Sequence, residues 1–341
     1  MGAGYGPDVG SGDDDGALIS TGQLPRPQEV RLALAEAHER HRLVADGELA
    51  DYIPMLATAS PHRFGACIAS TTGEVVEVGD SGHLFSIQSV SKPFVFALVC
   101  DALGHEEVRE RIGVNGTGLA FDSVMAVELN VERTMNPMVN AGAIATTSLA
   151  PGSDQAERWQ FVVDGLSRFA GRELEVDEEV YRCESETKLR NQGIAHLLAG
   201  YGRMYADPDE ATDTYTRQCS LLVSARDLAV MGATLADGGV NPVTGERVVH
   251  PDTCQRVLAV LATAGLYERS GDWLYDVGLP GKSGVSGGIL TVAPGKGAVA
   301  TFSPLLDDAG NSIRGRLATR FLSERAGLNL FASAPPPSKE R

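Results

Sequence analysis

The sequence predicts a mixed α/β protein of the α+β kind: one antiparallel sheet assembled from both ends of the chain, with a helical lobe inserted between. Three observations carry this. Ala66-Cys67-Ile68-Ala69 and Val75-Val76-Glu77-Val78 flank Thr72-Gly73 as two short strands about a turn. Apolar residues recur at helical spacing over 93–103, 155–170 and 226–235, punctuated by Gly and Pro. From Pro280 strand character returns, with Gly287 to Val292 and Ala298 to Phe302 either side of Pro294-Gly295.

In chain order, residues 1–26 read as a disordered acidic tail, because Asp8, Asp13, Asp14 and Asp15 stand among glycines with no basic residue before Arg26. An opening helix is predicted from Pro27 to Ala45, with Val30, Leu34 and Ala37 on its apolar face and Gly47 after it. The folded unit spans 27–332, with a sheet lobe over about 27–92 and 237–332 and a helical lobe over about 93–236. Arg316 to Arg325 forms a closing helix before Gly327. Residues 333–341, with Pro335-Pro336-Pro337, form a frayed tail.

Composition narrows the function. A hydrophobic fraction of 43% and a charged fraction of 22% suit an ordinary folded domain. The net charge of −16 repels nucleic acid and anionic membranes. The longest apolar run, Phe94 to Leu103, is far below the roughly 20 residues of a membrane span. Residues 1–26 do not combine the features of a secretory signal. Five dispersed cysteines without a C-x-x-C pair fit a reducing compartment, so a cytoplasmic location is expected. The seven histidines form no close-spaced metal pattern and the glycine pairs no phosphate loop, so neither metal nor nucleotide cofactor is expected.

The chemistry points to Ser89-Val90-Ser91-Lys92. In Ser-x-x-Lys the residues share a helix face, so an amine can reach the hydroxyl and take its proton. Spacing alone does not decide, because Ser185-Glu186-Thr187-Lys188 repeats it and a capping serine also satisfies it. Context favours the first copy. Pro93 marks a helix start, where helix-terminal positive charge favours an alkoxide-like serine, and the apolar residues beyond imply burial and a neutral lysine. The second copy lies among Glu184, Glu186 and Arg190, where a solvated lysine stays protonated. Far along the chain, Lys282-Ser283-Gly284 resembles the Lys-[Ser/Thr]-Gly box of the penicillin-interacting Ser-x-x-Lys hydrolases. The strand edge after it can offer the N–H of Val285, beside that of Ser89, as an oxyanion hole.

Over roughly residues 27–330 the chain also resembles the serine-dependent glutaminases. The resemblance is carried by Asp51-Tyr52-Ile53-Pro54, Gln88 to Pro93, Asn136-Pro137-Met138-Val139-Asn140-Ala141-Gly142-Ala143-Ile144 and Leu279 to Gly288. It implies the β-lactamase/transpeptidase-like fold and hydrolysis of L-glutamine to L-glutamate and ammonia. It further implies Ser89 as nucleophile, Lys92 as its base and Tyr267 as a proton relay. Tyr52, Ser89, Asn140, Glu184, Asn191, Tyr215, Tyr267 and Val285 then contact the substrate, and a homodimer or homotetramer is expected. A buried carboxylate can pair a substrate ammonium, and amide and phenol donors its carboxylate. Two other readings fit the same boxes: a penicillin-interacting enzyme, and an amino-acid-binding module that has kept the fold without the chemistry.

Overall fold

The computed structural model describes residues 24–332 except residue 132; the expectations for the acidic tail before residue 24 and for residues 333–341 lie outside the described residues. β1 (Gly65–Ser70), β2 (Val75–Gly79), β5 (Gly281–Ser283), β6 (Gly288–Ala293) and β7 (Gly297–Phe302) form one antiparallel sheet in the order β2-β1-β7-β6-β5. The first and last parts of the sequence meet where β1 pairs with β7, Ile68 opposite Val299 and Ser70 opposite Gly297. β3 (Phe85–Ser86) and β4 (Leu222–Val223) make a separate two-stranded pairing, too short to register as periodicity.

Side chains on a strand alternate between the two faces. Ala66, Ile68, Ile289 and Val299 face one way, into a core with Val30, Leu34 and Ala37 of the helix Pro27–His41 and Ala318 and Leu322 of the helix Ile313–Arg325. Cys67, Ala69, Leu290, Ala298 and Ala300 face the other way, into the larger core with Phe94, Val95 and Leu98 of the helix Lys92–Leu103. The sheet is therefore covered on both faces, which is why its late strands are apolar almost throughout rather than alternating.

Ala225–Ala236, part of the expected helical lobe, lies directly across β1, β6 and β7. Gly232 permits this approach. A Cβ there would stand 2.5 Å from Cδ1 of Leu290 and 2.6 Å from Cβ of Ala298.

Several boundaries differ from the sequence reading. The opening helix ends at His41, four residues before Ala45. The closing helix begins at Ile313, because the Ser312 hydroxyl accepts from the N–H of Gly315 and caps it. The helices Pro251–Ala264 and Ser270–Val277 interrupt the expected late sheet region. Among the described residues all five cysteines are free, and no helix is long and apolar enough to cross a membrane.

Candidate active site

Ser89 does not open an α-helix. It lies in the 3-10 turn Gln88–Ser91, which runs straight into the helix Lys92–Leu103. Pro93 takes an early position in that helix, where its missing N–H costs nothing. Gln88 enters the turn in the left-handed region, at φ 51°, a conformation that costs a side-chain-bearing residue about 1–2 kcal/mol.

Lys92 is 1% exposed, and its amine donates to the Met138 carbonyl at 3.1 Å and to Oδ1 of Asn140 at 2.8 Å. The Asn136–Ile144 run builds both acceptors. The Asn136 side chain donates to the Asn115 carbonyl and accepts from the N–H of Met138, fixing the turn that precedes the helix Asn140–Ser148. Gly142 lets that helix close on the turn, since a Cβ would fall 1.9 Å from the Asn136 carbonyl oxygen. Asn140 is held in place as well: its amide donates to Oδ1 of Asn191 at 3.1 Å, and its Oδ1 accepts from the Tyr215 hydroxyl at 3.3 Å.

Burial without a carboxylate partner brings Lys92 down to about 7, so at neutral pH a large fraction of it is the free amine. A neutral amine has two N–H groups and one lone pair. With both N–H groups given to Met138 and Asn140, the lone pair is left to accept a proton.

Lys282 is also fully buried; it donates to the Ser283 carbonyl at 2.8 Å and sits 4.0 Å from the centre of the Tyr267 ring. Burial, and then the neighbouring Lys92, hold it well below the usual lysine range. Tyr267 is in the left-handed region at φ 56°, and its ring tilts against Phe121 at 5.0 Å between centroids. Burial raises its phenol above the usual tyrosine range, while the adjoining Ser89 hydroxyl pulls the other way.

Above these groups lies a cleft of about 420 Å³. Seven of the predicted residues line it: Tyr52, Ser89, Asn140, Glu184, Asn191, Tyr215 and Val285. Lys92 is buried, and Tyr267 lines a neighbouring cavity of about 230 Å³. Glu184 is raised to about 7 by burial, with the hydrogen bond donated by the Gln88 amide opposing the rise.

The sequence reading missed Gln88, Phe121, Asp122 and Arg190, which also line the cleft. Arg190 pairs with Asp122 at 3.1 Å at the mouth. Adjacency to Ser89 was the one signal available for Gln88. In the second Ser-x-x-Lys copy, Ser185 belongs to the helix Glu178–Thr187, and Lys188, just past its end at the edge of the cleft, pairs with Asp213 at 3.3 Å. That lysine is partly buried and ion-paired rather than solvated.

The sequence profile of the Glutaminase family matches residues 47–331. The chain belongs to the glutaminase family. Among other glutaminases, it is 59% identical over 321 residues to Glutaminase 2 of Yersinia pestis, with 94% of each chain covered. It is 48% identical over 302 residues to Glutaminase of Mycobacterium ulcerans, covering 89% of this chain and 94% of that one. The solved structure of the probable glutaminase ybaS superposes with a TM-score of 0.89 at 42% identity, over 91% of this chain and all of that one. Mglu in its glutamate form gives 0.83 at 41% identity, over 91% of this chain and 71% of that one. With these glutaminases the chain shares the β-lactamase-like fold.

Proposed function

We propose that the cleft hydrolyses L-glutamine to L-glutamate and ammonia through a serine nucleophile activated by lysine, without a cofactor. The observation that carries the mechanism is the buried Lys92 amine, committed through its N–H groups to Met138 and Asn140 one turn from Ser89. The relatives' name supports the substrate.

Ser89 Oγ attacks the side-chain amide carbon as its proton passes to Lys92. The N–H groups of Ser89 and Val285 hold the oxyanion. The proton then returns, with the Tyr267 phenol as relay, to the departing nitrogen, the C–N bond breaks and ammonia leaves. Water adds to the acyl-enzyme by the same route in reverse and releases glutamate. Glu184 pairs the substrate ammonium, and Tyr52, Asn191, Tyr215 and the Asn140 side chain orient the remaining amino-acid groups.

The same reading takes the folded unit as one catalytic domain and includes a homodimer or homotetramer, supported by exposed Met125, Leu129 and Val131 on one short helix and its continuation. It also includes a cytoplasmic location, with which the free cysteines agree.

A coupled assay of ammonia and glutamate tests the reaction. Glutamine should give both products in equal amounts, asparagine far less, and Ser89→Ala neither. Equal turnover by wild type and Ser89→Ala would sink the scheme, and turnover of a chromogenic β-lactam in place of glutamine would favour the penicillin-interacting alternative.

A further inference from the structure

A chain of buried side chains ends on the turn that carries Ser89. Thr147 donates to Oε1 of Gln218 at 3.1 Å, Gln218 donates through Nε2 to the Ser91 hydroxyl at 3.0 Å, and Ser91 donates to the Gln88 carbonyl at 2.8 Å. Thr147, Gln218 and Ser91 are each no more than 1% exposed. The Thr147 hydroxyl also faces the Ala143 carbonyl at 3.1 Å, whereas the buried Gln218 amide, cut off from bulk water, would be left unpaired at either end by loss of its bond there.

The last acceptor is the significant one. Gln88 is held at φ 51°, and a left-handed non-glycine residue persists only where its surroundings over-determine it. Its side chain is fixed by Glu184 and Ser86, and its carbonyl by Ser91. On the sheet side, Gly284 leaves room for the turn, since a Cβ there would stand 3.1 Å from the Ile87 carbonyl oxygen and 3.4 Å from Cβ of Gln88. Gln218 is on the helix Pro208–Cys219, three residues after Tyr215. One helix thus holds both Tyr215 at the cleft and the anchor of the turn.

We infer that Gln218 and Ser91 are positioning residues: through the relay Thr147–Gln218–Ser91 they lock the Gln88 carbonyl and so aim the Ser89 hydroxyl and N–H at the substrate. The inference rests on Ser89 being the nucleophile. Neither residue reaches the cleft to touch substrate. The relay acts on the backbone that presents Ser89, while the Gln88 amide keeps its own bonds to Glu184 and Ser86, so loss of the relay slows the chemical step and leaves binding of the amino-acid groups to Glu184, Asn191 and Tyr215 in place.

Gln218→Met keeps length and removes the donor, and Ser91→Ala removes one oxygen from the middle of the relay. Each should lower kcat about 10- to 50-fold with KM within about 2-fold, the scale on which small misplacements of reacting groups act. The double variant should lose little more than either single one, because both break the same chain.

Thermal unfolding separates a folding defect from a positioning one: Ser91→Ala, the smaller change, should retain a single cooperative transition and still show the kcat loss. Single variants with kcat within 2-fold of wild type, losses confined to KM, or losses that multiply in the double variant would each overturn the inference. Ser89→Ala run alongside distinguishes the two levels. If it turns over glutamine, the nucleophile assignment fails. If it is inactive while Gln218→Met is unaffected, only the relay fails.

Discussion

Replacing Lys92 by methionine should abolish turnover and stabilise the fold, and the gain should depend on pH. The amine stands at about 7 in the folded chain against an ordinary 10.5. At about 1.4 kcal/mol per pH unit, that drop corresponds to about 5 kcal/mol of destabilisation. The sign follows from proton counting. Between about pH 7 and 10.5 the unfolded chain binds a proton on Lys92 that the folded chain does not, so wild-type stability rises with pH across that window. Below about 7 both states are protonated and the whole cost is present; above 10.5 it is gone.

Methionine carries none of this cost, but it leaves the buried Met138 carbonyl without the Lys92 donor, at about 1–3 kcal/mol. Asn140 Oδ1 retains the Tyr215 hydroxyl. The net gain near pH 7 is therefore about 2–4 kcal/mol. Urea unfolding of both proteins at pH 7.5, 8.5 and 9.5 reads it: the advantage of Lys92→Met should shrink by about 1.4 kcal/mol per pH unit. An advantage that is constant or grows with pH, or a variant less stable than wild type throughout, would refute a neutral buried Lys92.

Three further outcomes are expected. kcat/KM should climb as pH rises through about 7, because Lys92 must lose its proton and Glu184 must be ionised to pair the ammonium, so acidification removes both; a flat profile from pH 6 to 8 would contradict this. Glu184→Gln should raise KM for glutamine about 10- to 100-fold, the worth of one charge-assisted bond, as measured by initial rates. Tyr267→Phe should lower kcat about 100-fold or more with little change in KM, the loss of one positioned proton relay.

The sheet was legible because β1, β2, β6 and β7 combine β-branched or small apolar runs with glycine turns, and such local patterns survive into the structure. β3, β4 and β5 were not, at two or three residues each, since their strand geometry is imposed by their partners. Strongly apolar helices such as Lys92–Leu103, buried on every side from Lys92 to Cys100, announce themselves; polar ones such as His105–Ile112 and Glu178–Thr187 do not.

The candidate site divides in the same way. Ser89, Lys92 and Asn140 belong to compact motifs, whereas Gln218, Phe121 and Arg190 matter only because distant segments fold against one another. The strain at Gln88 was invisible, because a non-glycine residue with positive φ leaves no mark in the sequence.

The central claim is that Ser89 is the nucleophile of a glutamine-binding cleft, and a diazoketone analogue of glutamine tests it most directly. Peptide mapping after inactivation should find one label per chain, on Ser89, suppressed when glutamate is present. A label on Cys219 or any other side chain, with Ser89 unmodified in the inactivated protein, would contradict the account.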